Sequence, residues 1–284
     1  MVMIDAHVHA HRPGNPQEGF TGGPDWDAPV ERLLGQMDAT GVDKAVLVPI
    51  NPDPANDQYL KDSMEAYPGR FAGIGVHDPS VADQGADYAR RADTYGIQGL
   101  RVKQLGGGTG TPVEELPIFS LCEELERRGH NLWYYGQVED IDLLPAILDR
   151  LPNLKVGINS VGLPSIDPVL DEHHRPTRFS AGIPPATLPG VLEAAKYETV
   201  HVMLGCMYQL SPEPHPHTDL RGLVQQLYAA YGASRLFWNS DWPWIEKVPG
   251  YDAMPEIIDA NLPDLSAEER AEIFGGTASR LFKF

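Results

Sequence analysis

The chain has 284 residues, 42% of them hydrophobic and 22% charged, a globular composition, and no run approaches the roughly eighteen uninterrupted apolar residues of a membrane span. Its 22 basic residues against 40 acidic ones leave a formal charge of −18, which opposes nucleic acid and anionic lipid, because a phosphate surface is met by Lys and Arg. A small-molecule substrate remains as the natural class, and an anionic one needs local Arg or Lys to overcome that field.

Short β-branched or aromatic runs recur along the chain, separated by segments with helical spacing. In order, the predicted strands are Val2–Val8, Lys44–Ile50, Phe71–Val76, Gly99–Gln104, Asn131–Val138, Leu154–Ile158, Thr199–Leu204 and Leu236–Ser240. Between them, Val30, Leu33, Leu34 and Met37 share a helical face, Leu121 and Leu125 share another before Gly129, and Leu220–Tyr231 is apolar at Leu223, Val224, Leu227 and Tyr228. Ser266-Ala267-Glu268-Glu269 reads as a capping box, with Gly275 as the stop of that helix.

Eight strands alternating with helices, and no linker between them, predict one α/β domain over residues 1–284, a closed (β/α)8 TIM barrel. A doubly wound sheet is the rival, but the first strand is not followed by a G-x-G-x-x-G phosphate loop, and the cluster Gly106–Gly110 after the fourth reads as a flexible loop. Two proline-rich loops, Pro49–Pro54 and Ser211–Pro216, follow strands and so fall on the face where a barrel carries chemistry. The two cysteines, Cys122 and Cys206, offer neither a disulfide framework nor a thiolate zinc site. The start Met1-Val2-Met3-Ile4-Asp5 lacks the basic segment and apolar core of a secretory signal, so a cytoplasmic location is expected.

Asp5, His7 and His9 recur at period two, which places them on one face of the first strand with the histidines nearest its C-terminal end. Two imidazoles there can converge on one ion if other strands complete the shell; the plain alternative is two solvated histidines at a strand end. The distal partner is Asp241, after the eighth strand, because strands one and eight are neighbours in a closed barrel. Arg101 and Lys103 share one face of the fourth strand while Leu100 and Val102 share the other. The basic pair then points inward, where Arg101 meets either a substrate carboxylate or an internal acid such as Asp5. Tyr135 and Tyr208 can donate hydrogen bonds to a carbonyl or can simply pack. Trp242 and Trp244 either wall the pocket or fill a helix interface, and Cys206 reads as a small buried hydrophobe.

The segments Ile4-Asp5-Ala6-His7-Val8-His9, Arg235–Pro243 and Ile273-Phe274-Gly275-Gly276-Thr277-Ala278-Ser279-Arg280-Leu281-Phe282 resemble the amidohydrolase superfamily. Within it the chain is similar to the amidohydrolase 2 branch of aromatic-acid decarboxylases and lactone hydrolases, nearest to the lactonases that act on pyrone dicarboxylates and sugar lactones. Gly99-Leu100-Arg101-Val102 and Val200–Tyr208 carry that narrower likeness. The family places histidines at the ends of strands five and six, where Gln137 and Ser160 stand here; Met203 replaces a lysine common on strand seven, and Asn239 a glycine before the Ser-Asp pair.

The resemblance implies a hydrolase acting on a lactone or other cyclic carbonyl compound bearing a carboxylate. Asp241 is then general base on water, His7 and His9 orient that water directly or through one divalent ion, zinc or manganese, and Arg101 with Tyr135 holds the carboxylate. His7, His9 and Asp241 are the metal candidates, with a metal-free site as the alternative since an amide and a hydroxyl replace two histidines. Lys103, Gln137, Ser160, Tyr208, His77 and Trp242 join the substrate-binding candidates. His173, His174, His215 and His217 are spare histidines of the pocket loops, His11 is a further candidate, and His130 belongs on the opposite, stability face. A metal-dependent decarboxylase and a repurposed isomerase or cyclase are the alternatives, and a homo-oligomer is compatible with the sequence.

Overall fold

A computed structural model describes residues 2–13, 27–107 and 110–284. Met1 of the predicted first segment and Gly108 of the glycine cluster lie outside the described residues. The strands, in chain order, are β1 (Ile4–Val8), β2 (Lys44–Leu47), β3 (Phe71–Gly73), β4 (Gly75–Val76), β5 (Gly99–Val102), β6 (Asn131–Tyr134), β7 (Lys155–Ile158), β8 (Val169–Leu170), β9 (Pro176–Thr177), β10 (Val200–Leu204) and β11 (Leu236–Trp238). The helices that matter below are α1 (Val30–Thr40), α2 (Pro54–Ala66), α3 (Gln84–Tyr95), α4 (Phe119–Arg128), α5 (Leu144–Arg150), α6 (Leu188–Ala194), α7 (Arg221–Tyr231), α8 (Glu256–Asn261), α9 (Ala267–Ala271) and α10 (Thr277–Leu281).

Parallel pairing runs β1-β2-β3 and β4-β5-β6-β7-β10-β11. β3 and β4 are two pieces of the predicted third strand, parted only at Ile74, whose amide still donates to Leu47 O at 3.0 Å. The circle closes between β11 and β1, where Asp241 N donates to His7 O at 3.2 Å and His9 N donates to Trp242 O at 2.7 Å. The result is the (β/α)8 barrel. Several strands end two to four residues before their predicted limits, because the residues that follow have left the ladder for the loops of the C-terminal face. The two-stranded antiparallel hairpin β8-β9 sits in the loop after β7, and no sequence alternation announced it. Among the described residues no helix is long and apolar enough to cross a membrane.

Two apolar clusters divide the interior. Ile4, Ala6, Val46, Val48, Ala72, Ile74, Trp133, Met203 and Phe237 fill the inside of the barrel, while Val8, Leu100, Val102, Leu132 and Val156 pack outward among helix residues such as Leu33, Leu60, Leu121, Leu125 and Leu227. Burial of such side chains contributes about 1.5–3 kcal/mol each. Met203, at the position of the family lysine, is part of the inner packing.

Two local expectations are corrected. Asp5, His7 and His9 do not share a face: Asp5 pairs with Ala45 but Val8 with Leu47, so β1 carries one residue more than β2 between those points. That bulge lets Ala6 and His7 both face inward and leaves Asp5 outside. Gly275 does not stop a helix. The capping box at Ser266 forms as predicted, but the chain runs on through a π-helical turn, Glu272–Gly276, into α10. A side-chain carbon at Gly275 would stand 1.9 Å from Val2 O, so the glycine serves the close approach of this turn to the barrel's first strand.

Candidate active site

His7, His9 and Asp241 meet where the barrel closes, and all three are buried. His7 Nε2 and His9 Nε2 stand 3.2 Å apart, and Asp241 Oδ1 lies 3.1 Å from His9 Nε2 and 3.9 Å from His7 Nε2. Asp241 adopts a left-handed backbone, φ 67°, a conformation that aspartate tolerates better than most residues, and this turns the carboxylate back over β1. Its Oδ2 accepts the Tyr208 hydroxyl at 2.6 Å and Gln209 Nε2 at 2.8 Å. Burial opposes ionisation of Asp241, but contact with His9 and His7 and the Tyr208 hydroxyl outweigh it and hold the carboxyl well below the usual carboxylate range.

The surroundings of the two histidines differ. Trp133 Nε1 donates to His7 Nδ1 at 2.9 Å, whereas His9 Nδ1 donates to Val48 O at 2.7 Å. Burial, and then the neighbouring His9 and Arg101, push His7 well below the ordinary histidine value despite Asp241, so it is neutral. The three ligand atoms lie within 4.8 Å of one another, close enough to converge on a metal ion. A ligating imidazole, however, normally donates its other ring N–H to an acceptor; His9 meets that condition and His7, which accepts from Trp133, does not.

These residues form the floor of a small inner cavity of about 30 Å³, whose wall includes Arg101, Tyr135, Asn159, Arg178 and Gln209. A water needs about 10–15 Å³ of such space. Arg101, Tyr135 and Arg178 also line a larger outer cavity of about 450 Å³, with His77, Lys103 and Gln137 around its mouth. Arg101 is buried, with its guanidinium 5.3 Å from the centre of the Tyr135 ring and, among the described residues, one weak contact to Pro49 O at 3.4 Å and no partner for Nε. Among the described residues it makes no ion pair, and Asp5 is engaged elsewhere, accepting from Ser240 N at 2.9 Å, Ser240 Oγ at 2.5 Å and Tyr251 OH at 3.0 Å. The Tyr135 hydroxyl is buried without a partner among the described residues, and burial, opposed by Arg178 and Arg101, pushes its pKa up to about 12.

The other candidates fall out as follows. Lys103 lines the outer cavity, where burial and then Arg101 and Arg178 pull its ammonium down to about 8. His77 and Gln137 line the same cavity, Gln137 well away from the His-His-Asp floor. Ser160 lies buried against Cys206, and the preceding Asn159 lines the inner cavity in its place; the expectation rested on the family's histidine position, and the backbone takes positive φ at Ser160 and Val161 there. Tyr208 serves Asp241 and lines neither cavity, and Trp242 packs in the outer core while Trp244 walls the floor. His173 and His174 are exposed. His215 and His217 bond backbone carbonyls of Ala253 and Glu213, His11 bonds Arg12 O, and none of these lines either cavity. His130 bonds the Tyr88 hydroxyl at 2.6 Å, away from the site.

Sequence reasoning missed Arg178 and Gln209. Arg178 is buried beside Tyr135, donates through Nε to Ile166 O at 2.8 Å and through its terminal nitrogen to Gln209 Oε1. It sits in the long loop after β7, where no period marks an inward residue; the pair of arginines Arg175 and Arg178 between predicted strands six and seven was the available signal.

Comparison with known proteins agrees with this architecture. The sequence profile of the family described as Amidohydrolase matches residues 4–284. An L-fucono-1,5-lactonase of Burkholderia ambifaria is 26% identical over 300 residues, covering 99% of this chain and 95% of that protein. The crystal structure of a 2-pyrone-4,6-dicarboxylic acid hydrolase from Pseudomonas putida superposes with a TM-score of 0.75 at 26% identity, covering 99% and 97% of the two chains. An amidohydrolase of Burkholderia multivorans solved with bound zinc shares the fold at a TM-score of 0.76 and 18% identity, covering 99% of each.

Proposed function

The chain belongs to the amidohydrolase family, and from that premise we propose that it hydrolyses a cyclic ester bearing a carboxylate. The observation that carries this reading is the buried Arg101, without an ion pair among the described residues and set over Tyr135 on the wall common to the two cavities. A buried guanidinium without an acid is costly, and a substrate carboxylate satisfies it through paired hydrogen bonds. Arg178 and Lys103 add charge on the same side. The names of the lactonase and hydrolase relatives support the same class.

In this reading the substrate carboxylate lies against Arg101, the ring carbonyl accepts from the Tyr135 hydroxyl, and a water occupies the inner cavity beside Asp241 Oδ1. As the water oxygen bonds the carbonyl carbon, its proton passes to Asp241 Oδ1, which His9 Nε2 faces at 3.1 Å. The oxyanion is stabilised by Tyr135 and the nearby guanidinium. Collapse breaks the ring carbon–oxygen bond, and the departing alkoxide takes the proton back, leaving a hydroxy acid.

The test is acid release, followed with a pH indicator, from 2-pyrone-4,6-dicarboxylate and from L-fucono-1,5-lactone. One equivalent of acid per turnover without carbon dioxide is expected for the carboxylate-bearing compound, with Asp241→Asn reducing turnover by about 10⁴-fold, the order seen when a catalytic carboxylate is neutralised. Carbon dioxide release would reassign the chain as a decarboxylase, and near-normal turnover of Asp241→Asn would remove Asp241 from the mechanism.

A further inference from the structure

We propose that Trp133 is a positioning residue that holds His7 in its Nε2–H tautomer, making His7 a hydrogen-bond donor to the inner cavity and not a ligand to a divalent ion. An indole nitrogen can only donate. Trp133 Nε1 lies 2.9 Å from His7 Nδ1, and the two ring planes are within 9° of each other with centroids 6.4 Å apart. The N–H therefore meets the imidazole lone pair edge to edge, in plane. His7 Nδ1 carries no hydrogen, so a neutral His7 carries it on Nε2. That N–H faces the inner cavity, with His9 Nε2 at 3.2 Å and the Asp241 carboxylate, an acceptor, at 3.9 Å.

His9 is the mirror case. Its Nδ1 is 2.7 Å from Val48 O, a carbonyl that can only accept, so a hydrogen stands on Nδ1, and Nε2 is the atom turned to the cavity, 3.1 Å from Asp241 Oδ1. For His7 to ligate an ion through Nε2 it would have to move its hydrogen to Nδ1, setting two donors face to face with Trp133, or lose the ring's last proton. Turning the indole aside is no remedy, because a buried N–H left without an acceptor keeps its full desolvation penalty. The indole also has nowhere to turn. It stacks on Phe237 with centroids 5.3 Å apart and meets the edge of Phe282 at 5.3 Å. On β7 a side-chain carbon at Gly157 would fall 2.6 Å from its six-membered ring, so the glycine is the space the indole fills.

The inference rests on the two imidazole environments and stands whether or not the ester reading holds. The first test is a long-range proton–nitrogen correlation spectrum of the full chain labelled with ¹⁵N-histidine, with His7 and His9 assigned by the signals lost in His7→Gln and His9→Gln. The expected result is a bare Nδ1 and protonated Nε2 on His7, and a protonated Nδ1 on His9; a protonated Nδ1 on His7 overturns the proposal. The second is zinc titration of chelator-treated protein by calorimetry. Wild type is expected to bind zinc at least about tenfold more weakly than Trp133→Phe, a gap of about 1.4 kcal/mol, since the phenyl ring frees Nδ1 to take the hydrogen. Equal affinity in the two proteins, or one tight equivalent in wild type that His7→Gln abolishes, overturns it. If Trp133→Phe fails to fold, the spectrum of the wild-type chain still decides.

Discussion

Tyr208 donates its hydroxyl to Asp241 Oδ2 at 2.6 Å, with Gln209 donating to the same oxygen. One face of the carboxylate is thus satisfied from the loop after β10, and only Oδ1 is left for His9 and the inner cavity.

Removing that hydroxyl gives the first prediction. A hydrogen bond to a charged group contributes about 1.5–3 kcal/mol, so Tyr208→Phe should lower kcat/KM by about 10–100-fold. Contact with His9 and then His7 outweighs burial in holding the Asp241 carboxyl below its ordinary range, and the Tyr208 bond adds to it, so the ionised form is favoured by folding; the stability this contributes is present above the ordinary carboxylate value and is lost as pH falls toward the depressed one. Tyr208→Phe should therefore move the acid limb of the pH–rate profile upward. An unmoved limb would mean that Asp241 is held by the histidines alone.

Arg178 joins two parts of the site, since it leans over Tyr135 and bonds Gln209, which in turn bonds Asp241. Arg178→Met is expected to raise KM for a carboxylate-bearing substrate by about tenfold or more, the scale of a lost charge-assisted contact, and to lower kcat through the loosened Gln209. An uncharged methyl ester of the same substrate should show the kcat effect and little of the KM effect. Steady-state kinetics with the acid and its ester separates the two.

Lys103 titrates in the working range. Its ammonium is pulled down to about 8, so the cation is present below that pH and lost above it. KM for an anionic substrate should rise as pH passes through about 8, while kcat stays level. In Lys103→Arg, whose guanidinium keeps its charge, the rise should disappear; persistence of the rise would assign it to another group.

Gly275 tests the close approach of the π-helical turn to β1. Gly275→Ala forces a carbon to within 1.9 Å of Val2 O, an overpacking that costs about 1–3 kcal/mol. At about 2–4 °C per kcal/mol for chains of this size, thermal unfolding should begin several degrees lower, with kcat of the folded protein unchanged. Gly276→Ala is not an equivalent control, since its added carbon would meet only the Glu272 side chain at 2.7 Å; a smaller loss is expected there.

Much of this was legible in the sequence for a physical reason. Strand–helix alternation is a repeating signal, and a barrel's closure places the end of strand eight beside the start of strand one, so His7, His9 and Asp241 could be joined across the whole chain. Arg101 was legible because Leu100 and Val102 fix the opposite face of its strand. Asp5 was misplaced because a bulge is one extra residue with no compositional mark. Ser160 was read for Asn159 because the family likeness aligns Ser160 with a histidine, while the positive φ of Ser160 and Val161, which carries no mark in the sequence, decides which side chain reaches the cavity. Arg178, Gln209 and Trp133 escaped for different reasons: the first two lie in loops, which carry no period, and the third reads as one more aromatic in a buried run, its hydrogen bond to His7 visible only when β6 and β1 face each other across the barrel.

The bulge in β1 has a consequence for folding. By sending Asp5 outward it supplies a carboxylate that clasps Ser240 from a position 235 residues away in sequence, while the same few residues send His7 and His9 inward to Asp241. Outer clasp, backbone closure and inner carboxylate are thus one event. Joining ends so far apart is entropically expensive and is rewarded only when that seam zips, so a chain with every helix and strand formed but its first and last strands still apart has no catalytic centre at all. Recovery of turnover during refolding would then report the closing of the ring itself, later than helical signals report the rest.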